Sequence, residues 1–433
     1  MNALIYAPGL AGHLQSYCRV LSRALLDAGH RVAIAAPSDA ADWRTRWPLL
    51  RPLADEPRAR AVDTRTFGGL ETGELTAEQM LLIQQECRAD ATLFVHADSF
   101  ADQFRRMAAG GAPRLRGRVC AIFARTSEWY PGEDAYTGVR EPWIGPTLRR
   151  TVGRWKRALL ARASSSRYFF EHIVLGRRLV DALIVKDERI TERYGPPVYW
   201  MPEIYRVFDV RDDERRGPDW DRFAEPMRRY MERAGPRDLL LYFGTGAWYK
   251  GYDLFLRLAR SCPDTFALHA GAPDAREPGK PYACDIEALR AELLREGRLF
   301  ETRAFVESDD LIKMAFDGIE RFVSTHRLTL TSGTVLQALE HDKPALTPDS
   351  GLVGWRTRTA GLGTVYRYQD IADLTARWNE ARRSAAPAPV AAIRRFMARF
   401  SREAVEGFFT AVMTGNPPPA VPAASGGPAD GNA

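Results

Sequence analysis

The sequence predicts an α/β protein built of two doubly wound, parallel-sheet domains. Three observations predict it. Short apolar runs of strand length alternate with helical segments along most of the 433 residues, and such alternation requires crossover connections and parallel strands. The alternating series runs twice, once from Ala3 and again from Asp238. The chain is also too long for one ordinary core, while 45% hydrophobic residues suffice for two.

The first series opens with a strand from Ala3 to Ala7 and a turn, Gly9-Leu10-Ala11-Gly12. Tyr17, Val20, Leu21, Ala24 and Leu25 then fall at helical spacing, and Gly29 stands where a helix ends. Arg31 to Ala35 completes a βαβ unit. Further strands are read at 91–95, 119–124, 182–185 and 198–201. Pro202 and the charged run from Arg211 to Asp219, with Gly217-Pro218, mark a boundary. The second series has strands at 239–243, 266–270, 321–324 and from Lys343 to Leu346. One last helix is expected from about Val390 to Met413. The division that follows is an N-terminal domain over 1–205, a linker over 206–237, a C-terminal domain over 238–385, a helix over 386–413 and a tail over 414–433. The tail is Pro, Ala and Gly and is expected to be disordered.

Composition excludes several classes. No run approaches the roughly 20 apolar residues of a membrane span. The N-terminus enters a strand directly, without the basic and apolar regions of a signal peptide, so a cytoplasmic protein is expected. Cys18, Cys87, Cys120, Cys262 and Cys284 are scattered without a CxxC pair, which indicates neither zinc nor a disulfide framework. The net charge is +6. Arg140 to Phe170 carries eight basic residues against the single acid Glu141. Its core, Arg149 to Arg162, suits an anionic membrane at the inner face of the cell envelope, although a solvated helix face is the commoner outcome. No aromatic-stacking or groove-reading motif accompanies it, which argues against nucleic acid.

Two segments carry chemistry. Gly244-Thr245-Gly246-Ala247-Trp248-Tyr249-Lys250-Gly251 links a strand to a helix. Its glycines let backbone approach an anion, and Lys250 suits a diphosphate. Thr331-Ser332-Gly333-Thr334 opens a helix, offering free N–H groups, hydroxyls and the positive dipole end. Each segment also has a plain reading, as a tight turn and as an ordinary N-cap. Neither is a Walker A loop, and neither fits GxGxxG, so a dehydrogenase is not expected.

These residues resemble those of the GT-B glycosyltransferases, whose architecture is two Rossmann-like domains around a cleft. The likeness is greatest to the large family-four group of mostly retaining enzymes. Phe243-Gly244 through Lys250-Gly251-Tyr252-Asp253-Leu254 looks like that group's glycine loop and Lys-Gly helix. Gln337-Ala338-Leu339-Glu340-His341-Asp342-Lys343-Pro344-Ala345 looks like its Glu-Ala-x-Ala-x-Gly-Lys-Pro-Val segment. Gly351 and Gly361-Leu362-Gly363 match its downstream glycines, Leu25 to Ile34 its Leu-x-x-x-Gly-His-x-Val stretch, and Pro202-Glu203-Ile204-Tyr205 its Pro-Asn-Gly-Val. The chain departs at three places. Thr245 stands where the family has Arg, and Thr329 and Gln337 stand where it has two glutamates.

The resemblance implies a transferase that moves a sugar from a nucleoside diphosphate sugar to a glycan, lipid-linked or small-molecule acceptor. It needs no metal and no cofactor beyond that co-substrate. Gly244, Thr245, Lys250, Ser332, Gly333, Thr334 and Gln337 would bind the donor. On the N-terminal side, His96 ends a strand with Asp98 close behind, and His13 follows Gly12 in a Gly-His turn of the kind inverting enzymes use. Arg125 stands where the family's usual catalytic His belongs, and Glu128 is a candidate base. Gly9 and Gly12 would line the acceptor side. Retention and inversion both stay open, as do two rivals: a nucleotide-sugar epimerase on this fold and a non-catalytic glycan- or partner-binding module.

Overall fold

The computed structural model describes residues 1–10, 13–69, 75–123, 174–208, 215–217, 219–272, 285–306, 308–327, 331–384 and 386–419, with only the backbone of His13 and Pro48. Two compact units divide them: residues 1–208 with 400–419, and residues 215–399.

The first unit is a seven-stranded parallel sheet. Its strands are β1 (Asn2–Tyr6), β2 (Arg31–Ala36), β3 (Ala59–Asp63), β4 (Ala91–Phe94), β5 (Arg118–Phe123), β6 (Ala182–Val185) and β7 (Val198–Trp200), in the order β3-β2-β1-β4-β5-β6-β7. The reversal of order at β1 makes it doubly wound. Alternate residues of each strand feed opposite faces, which is why these strands read as continuous apolar runs. Ala3, Ile5, Leu93, Ile122 and Ile184 face one core, and Leu4, Tyr6, Phe94, Phe123 and Val185 the other. The helix His13–Asp27 covers the first face.

The second unit carries β8 (Leu239–Phe243), β9 (Phe266–Ala270), β10 (Leu299–Glu301), β11 (Phe322–Val323), β12 (Ala345–Pro348) and β13 (Gly363–Tyr366). They form two three-stranded parallel sheets, β10-β9-β8 and β11-β12-β13. One apolar core joins both, with Leu240 and Tyr242 of β8, Val323 of β11, Leu346 of β12 and Tyr366 of β13.

The single helix expected over 390–413 is two helices, Val390–Met397 and Arg402–Thr414, broken by a 3₁₀ turn at Ala398–Phe400. The second is a new helix with its own cap, Ser401. It belongs to the first unit, where Val405, Phe408, Phe409 and Val412 enter the core and the Arg118 Nε–H donates to the Val412 carbonyl at 2.6 Å. No helix among the described residues is long and apolar enough to cross a membrane.

Candidate functional site

The loop after β8 turns at Gly244, whose φ of +100° favours glycine. A Cβ there would stand 3.0 Å from the Lys250 Nζ, so the missing side chain also makes room for the ammonium group that lies over it. Lys250 closes a 3₁₀ turn, Trp248–Lys250, and Gly251 follows at φ +69°. A Cβ on Gly251 would lie 1.9 Å from the Thr325 carbonyl oxygen. The loop after β11 is therefore pressed directly onto the loop after β8.

Side chains fasten this seam. Thr325 Oγ1–H donates to the Lys250 carbonyl at 3.1 Å, and the Arg327 N–H to the Tyr249 carbonyl at 2.8 Å. The buried Arg327 guanidinium grips both oxygens of buried Asp253, one of them at 2.6 Å, and donates to the Trp248 carbonyl at 3.2 Å. A fork-to-carboxylate pair of this kind fixes orientation as well as distance.

Beneath the glycine turn lies a buried polar network. The β8–β9 register sets His269 opposite Tyr242, and its Nε2 lies 3.0 Å from the Gly244 carbonyl oxygen, to which it must donate. Its Nδ1 is 3.6 Å from Glu301. Glu301 also accepts from the Tyr252 hydroxyl at 2.8 Å and from Arg290 at 2.9 and 2.6 Å. Burial alone would raise the Glu301 pKa, but the neighbouring His269 and the hydrogen bonds from Arg290 and Tyr252 outweigh it and hold the carboxyl well below its usual range.

The helix Gly333–Glu340 begins at the third element of the site. Ser332 is its N-cap, with Oγ accepting from the Val335 N–H at 3.3 Å and 2.8 Å from the Thr334 hydroxyl. Among the described residues, the N–H groups of Gly333 and Thr334, the amide of Gln337 and the Thr245 hydroxyl have no protein partner, and Lys250 pairs with no carboxylate. Burial pushes the Lys250 pKa down from its ordinary value. The plain and the ligand-binding readings of Ser332 thus coexist: its oxygen caps the helix, and the two N–H groups ahead of it stay open.

On the first unit, His96 follows β4 and precedes a 3₁₀ turn, Ala97–Phe100, which includes Asp98. Phe100 anchors that turn edge-on against Phe94 at 5.1 Å. The partly exposed His96 ring places Nδ1 2.8 Å from the Ser99 hydroxyl. Because β1 and β4 are neighbours, Gly9 and the His13 backbone share the sheet edge with His96 and Asp98. Nothing lies within 4 Å of a Cβ built on Gly9.

No family model matches the sequence, and no curated protein matches it. Solved structures do match in fold. Sucrose-phosphate synthase of Thermosynechococcus elongatus is 14% identical, with 95% of this chain and 96% of that one covered at a TM-score of 0.54. Anabaena HepE, crystallised with UDP and with UDP-glucose, is 11% identical over 96% of this chain and 100% of that one, with a TM-score of 0.58 for the UDP complex. A glycosyltransferase of Rickettsia africae is 9% identical over 95% and 98%, with a TM-score of 0.56. The fold is that of the GT-B glycosyltransferases.

Within this GT-B fold, the structure brings Gly244, Thr245 and Lys250 to the end of β8, and the loop after β11 leads to Ser332, Gly333, Thr334 and Gln337. Gly12, Arg125, Glu128, Thr329 and the basic segment Arg149 to Arg162 lie outside the described residues, as does the tail beyond 419. Sequence reasoning passed over His269, Glu301, Arg290 and Arg327. The signal for the first was a histidine inside an otherwise apolar strand, since a buried polar group needs partners. It also took Glu203 only as part of the segment that resembles Pro-Asn-Gly-Val. Lys186, just past β6, lies 3.8 Å from Glu203 and 5.3 Å from the ring of buried Tyr17, whose pKa burial raises.

Proposed function

We propose that this chain is a glycosyltransferase that takes a sugar from a nucleoside diphosphate sugar and passes it to a glycan, lipid-linked or small-molecule acceptor. One observation carries the reading. Lys250, without a carboxylate partner, lies over a glycine turn at one strand end, and the loop locked to that turn leads to a helix start with two open N–H groups. A diphosphate is the ligand that such a set of donors suits, since it offers several acceptor oxygens and takes up the charge of Lys250. The nucleotide complexes of HepE, on the same fold, support a nucleotide sugar as its source.

In this scheme the sugar–phosphate bond breaks, and negative charge grows on the departing diphosphate. Lys250 and the N–H groups of Gly333 and Thr334 are fixed before that charge develops, so they stabilise it without reorganisation. They supply the positive charge that a metal would otherwise bring. Gln337 offers a neutral amide where the related family has a glutamate, so it can hold hydroxyls of the donor by hydrogen bonds alone. The acceptor and its base belong to the first unit, with His13, His96 and Asp98 at one sheet edge.

Calorimetry tests the donor site. Lys250→Ala should weaken binding of the preferred nucleoside diphosphate by roughly 1.5–3 kcal/mol, the scale of a lost charge-assisted hydrogen bond. An unchanged dissociation constant in the folded variant removes this loop from the site.

A further inference from the structure

The seam between the two loops holds one more basic group, His326. Its neighbours on both sides are tied to the Lys250 turn, Thr325 to the Lys250 carbonyl and Arg327 to the Tyr249 carbonyl. His326 therefore stands between two residues bound to that turn, with its Nδ1 3.0 Å from the Ser324 hydroxyl. The Ser324 carbonyl accepts in turn from the Tyr366 hydroxyl of β13 at 3.0 Å, so the ring's support is itself anchored. Among the described residues, no carboxylate pairs with His326 or with Lys250.

We propose that His326 is a positioning residue for the donor, taking up a proton from solvent as a diphosphate binds beside Lys250 and then holding that diphosphate through its charge. The inference rests on the donor site proposed above and adds a proton-linked group to it.

The charges around the ring favour this behaviour. Lys250, from the loop after β8, is the neighbouring cation. Arg327 is neutralised by Asp253. Tyr366 and Tyr368 approach from β13 and the segment after it, and both give their hydroxyl protons to carbonyls, of Ser324 and Arg327 respectively. Burial first and the Lys250 charge second push the His326 pKa down to about 3, so the ring is neutral. A diphosphate beside the ring acts in the opposite direction, since a nearby negative charge favours the protonated form and raises the pKa. The sign follows: the complex binds a proton that the free protein does not. Donor affinity is therefore highest in acid, falls as pH rises through the ring's pKa in the complex, and levels off above it.

The probe is a panel of UDP-, GDP-, ADP-, CDP- and dTDP-glucose, whose diphosphate diesters do not titrate between pH 5 and pH 8. With the tightest of them, wild-type affinity should fall about tenfold more between pH 5 and pH 8 than that of His326→Gln. Calorimetry in buffers of different ionisation enthalpy should show proton uptake on binding in weak acid that the variant lacks. The Cε1–H resonance of His326 in the wild-type protein reads the same protonation without depending on a variant that folds. Equal pH slopes, or an unprotonated ring in the saturated protein at pH 5, overturn the inference while leaving the donor site intact. Binding of none of the five, or binding insensitive to Lys250→Ala, removes the donor site and the inference with it.

Discussion

His96 and His269 both stand near the carboxyl end of a parallel strand, yet the chain uses them in opposite ways. His96 lies two residues past β4, partly exposed, with its Nδ1 2.8 Å from the hydroxyl of Ser99 three residues on. His269 is the fourth residue of β9 and fully buried. Its two nitrogens face Gly244, 25 residues earlier, and Glu301 on the next strand. The difference teaches what a strand-end histidine is for. A ring held beside its own turn stays partly open to solvent. A ring held between a loop carbonyl and a buried carboxylate is part of the scaffold that keeps the glycine turn in shape.

Substitution at the edge that carries His96 should therefore change chemistry, and within the network around His269 should change folding. The largest effect is expected at the edge shared by His13 and His96. If the reaction inverts, His13→Ala should lower turnover by about 10²–10⁴, the range of general-base catalysis, with donor affinity kept. If it retains, turnover should instead depend on His96→Ala and respond little at His13. Turnover of both variants, read beside the anomeric configuration of the product, separates the schemes. Near-normal rates in both would pass the role to Glu128 or Asp98. Next in size is Glu301→Gln, which removes the buried partner of Arg290, leaves it only the exposed Glu287, and should cost about 3–5 kcal/mol in urea denaturation. The sign with pH is fixed by the depressed carboxyl. Its stabilisation is present above the unfolded-state value, near 4, and is lost as pH falls below that toward the folded-state value. The gap between wild type and Glu301→Gln should stay level from pH 8 to pH 5 and close in stronger acid. A variant as stable as wild type at neutral pH would make His269 no more structural than His96.

How much of this was legible in sequence follows from burial. The strands β1, β2, β4, β5, β6, β8 and β9 are continuous apolar runs, because both faces of each are covered, and they were read from the sequence. The strands β3, β10 and β13 were missed. Each mixes buried with less buried positions, and Arg60 in β3 and Thr364 in β13 are exposed. The glycine turn and the Ser-Gly-Thr helix start were legible because their backbone chemistry is local: Gly244 takes a positive φ and Ser332 caps a helix. The Arg327–Asp253 clasp and the His269–Glu301–Arg290 network were not. Arg327 and Asp253 are 74 residues apart, and only strand order brings them together. The break at Ala398–Phe400 was hidden for a related reason. Both helices beside it are amphipathic, so the pattern runs on while the chain passes from one core to the other.

The smallest expected effects sharpen the comparison most, because they change one atom on each side of it. Tyr252→Phe removes the hydroxyl that donates to Glu301 and keeps the ring, which packs edge-on against Tyr242 at 5.0 Å and 4.8 Å from the His269 ring. Ser99→Ala removes the hydroxyl beside the His96 Nδ1. Both deletions take away one hydrogen bond, but the acceptor in the first is a buried carboxylate with no water to replace the lost donor. Tyr252→Phe should therefore cost about 1.5–3 kcal/mol, the value for a bond to a charged group. Ser99 is exposed, water can take the place of its hydroxyl, and Ser99→Ala should stay within about 0.5 kcal/mol. Urea denaturation of the two variants measures the difference directly. Comparable losses at both sites would show that the network under the glycine turn is no more rigid than the turn that holds His96, and the contrast between the two histidines would then rest on burial alone.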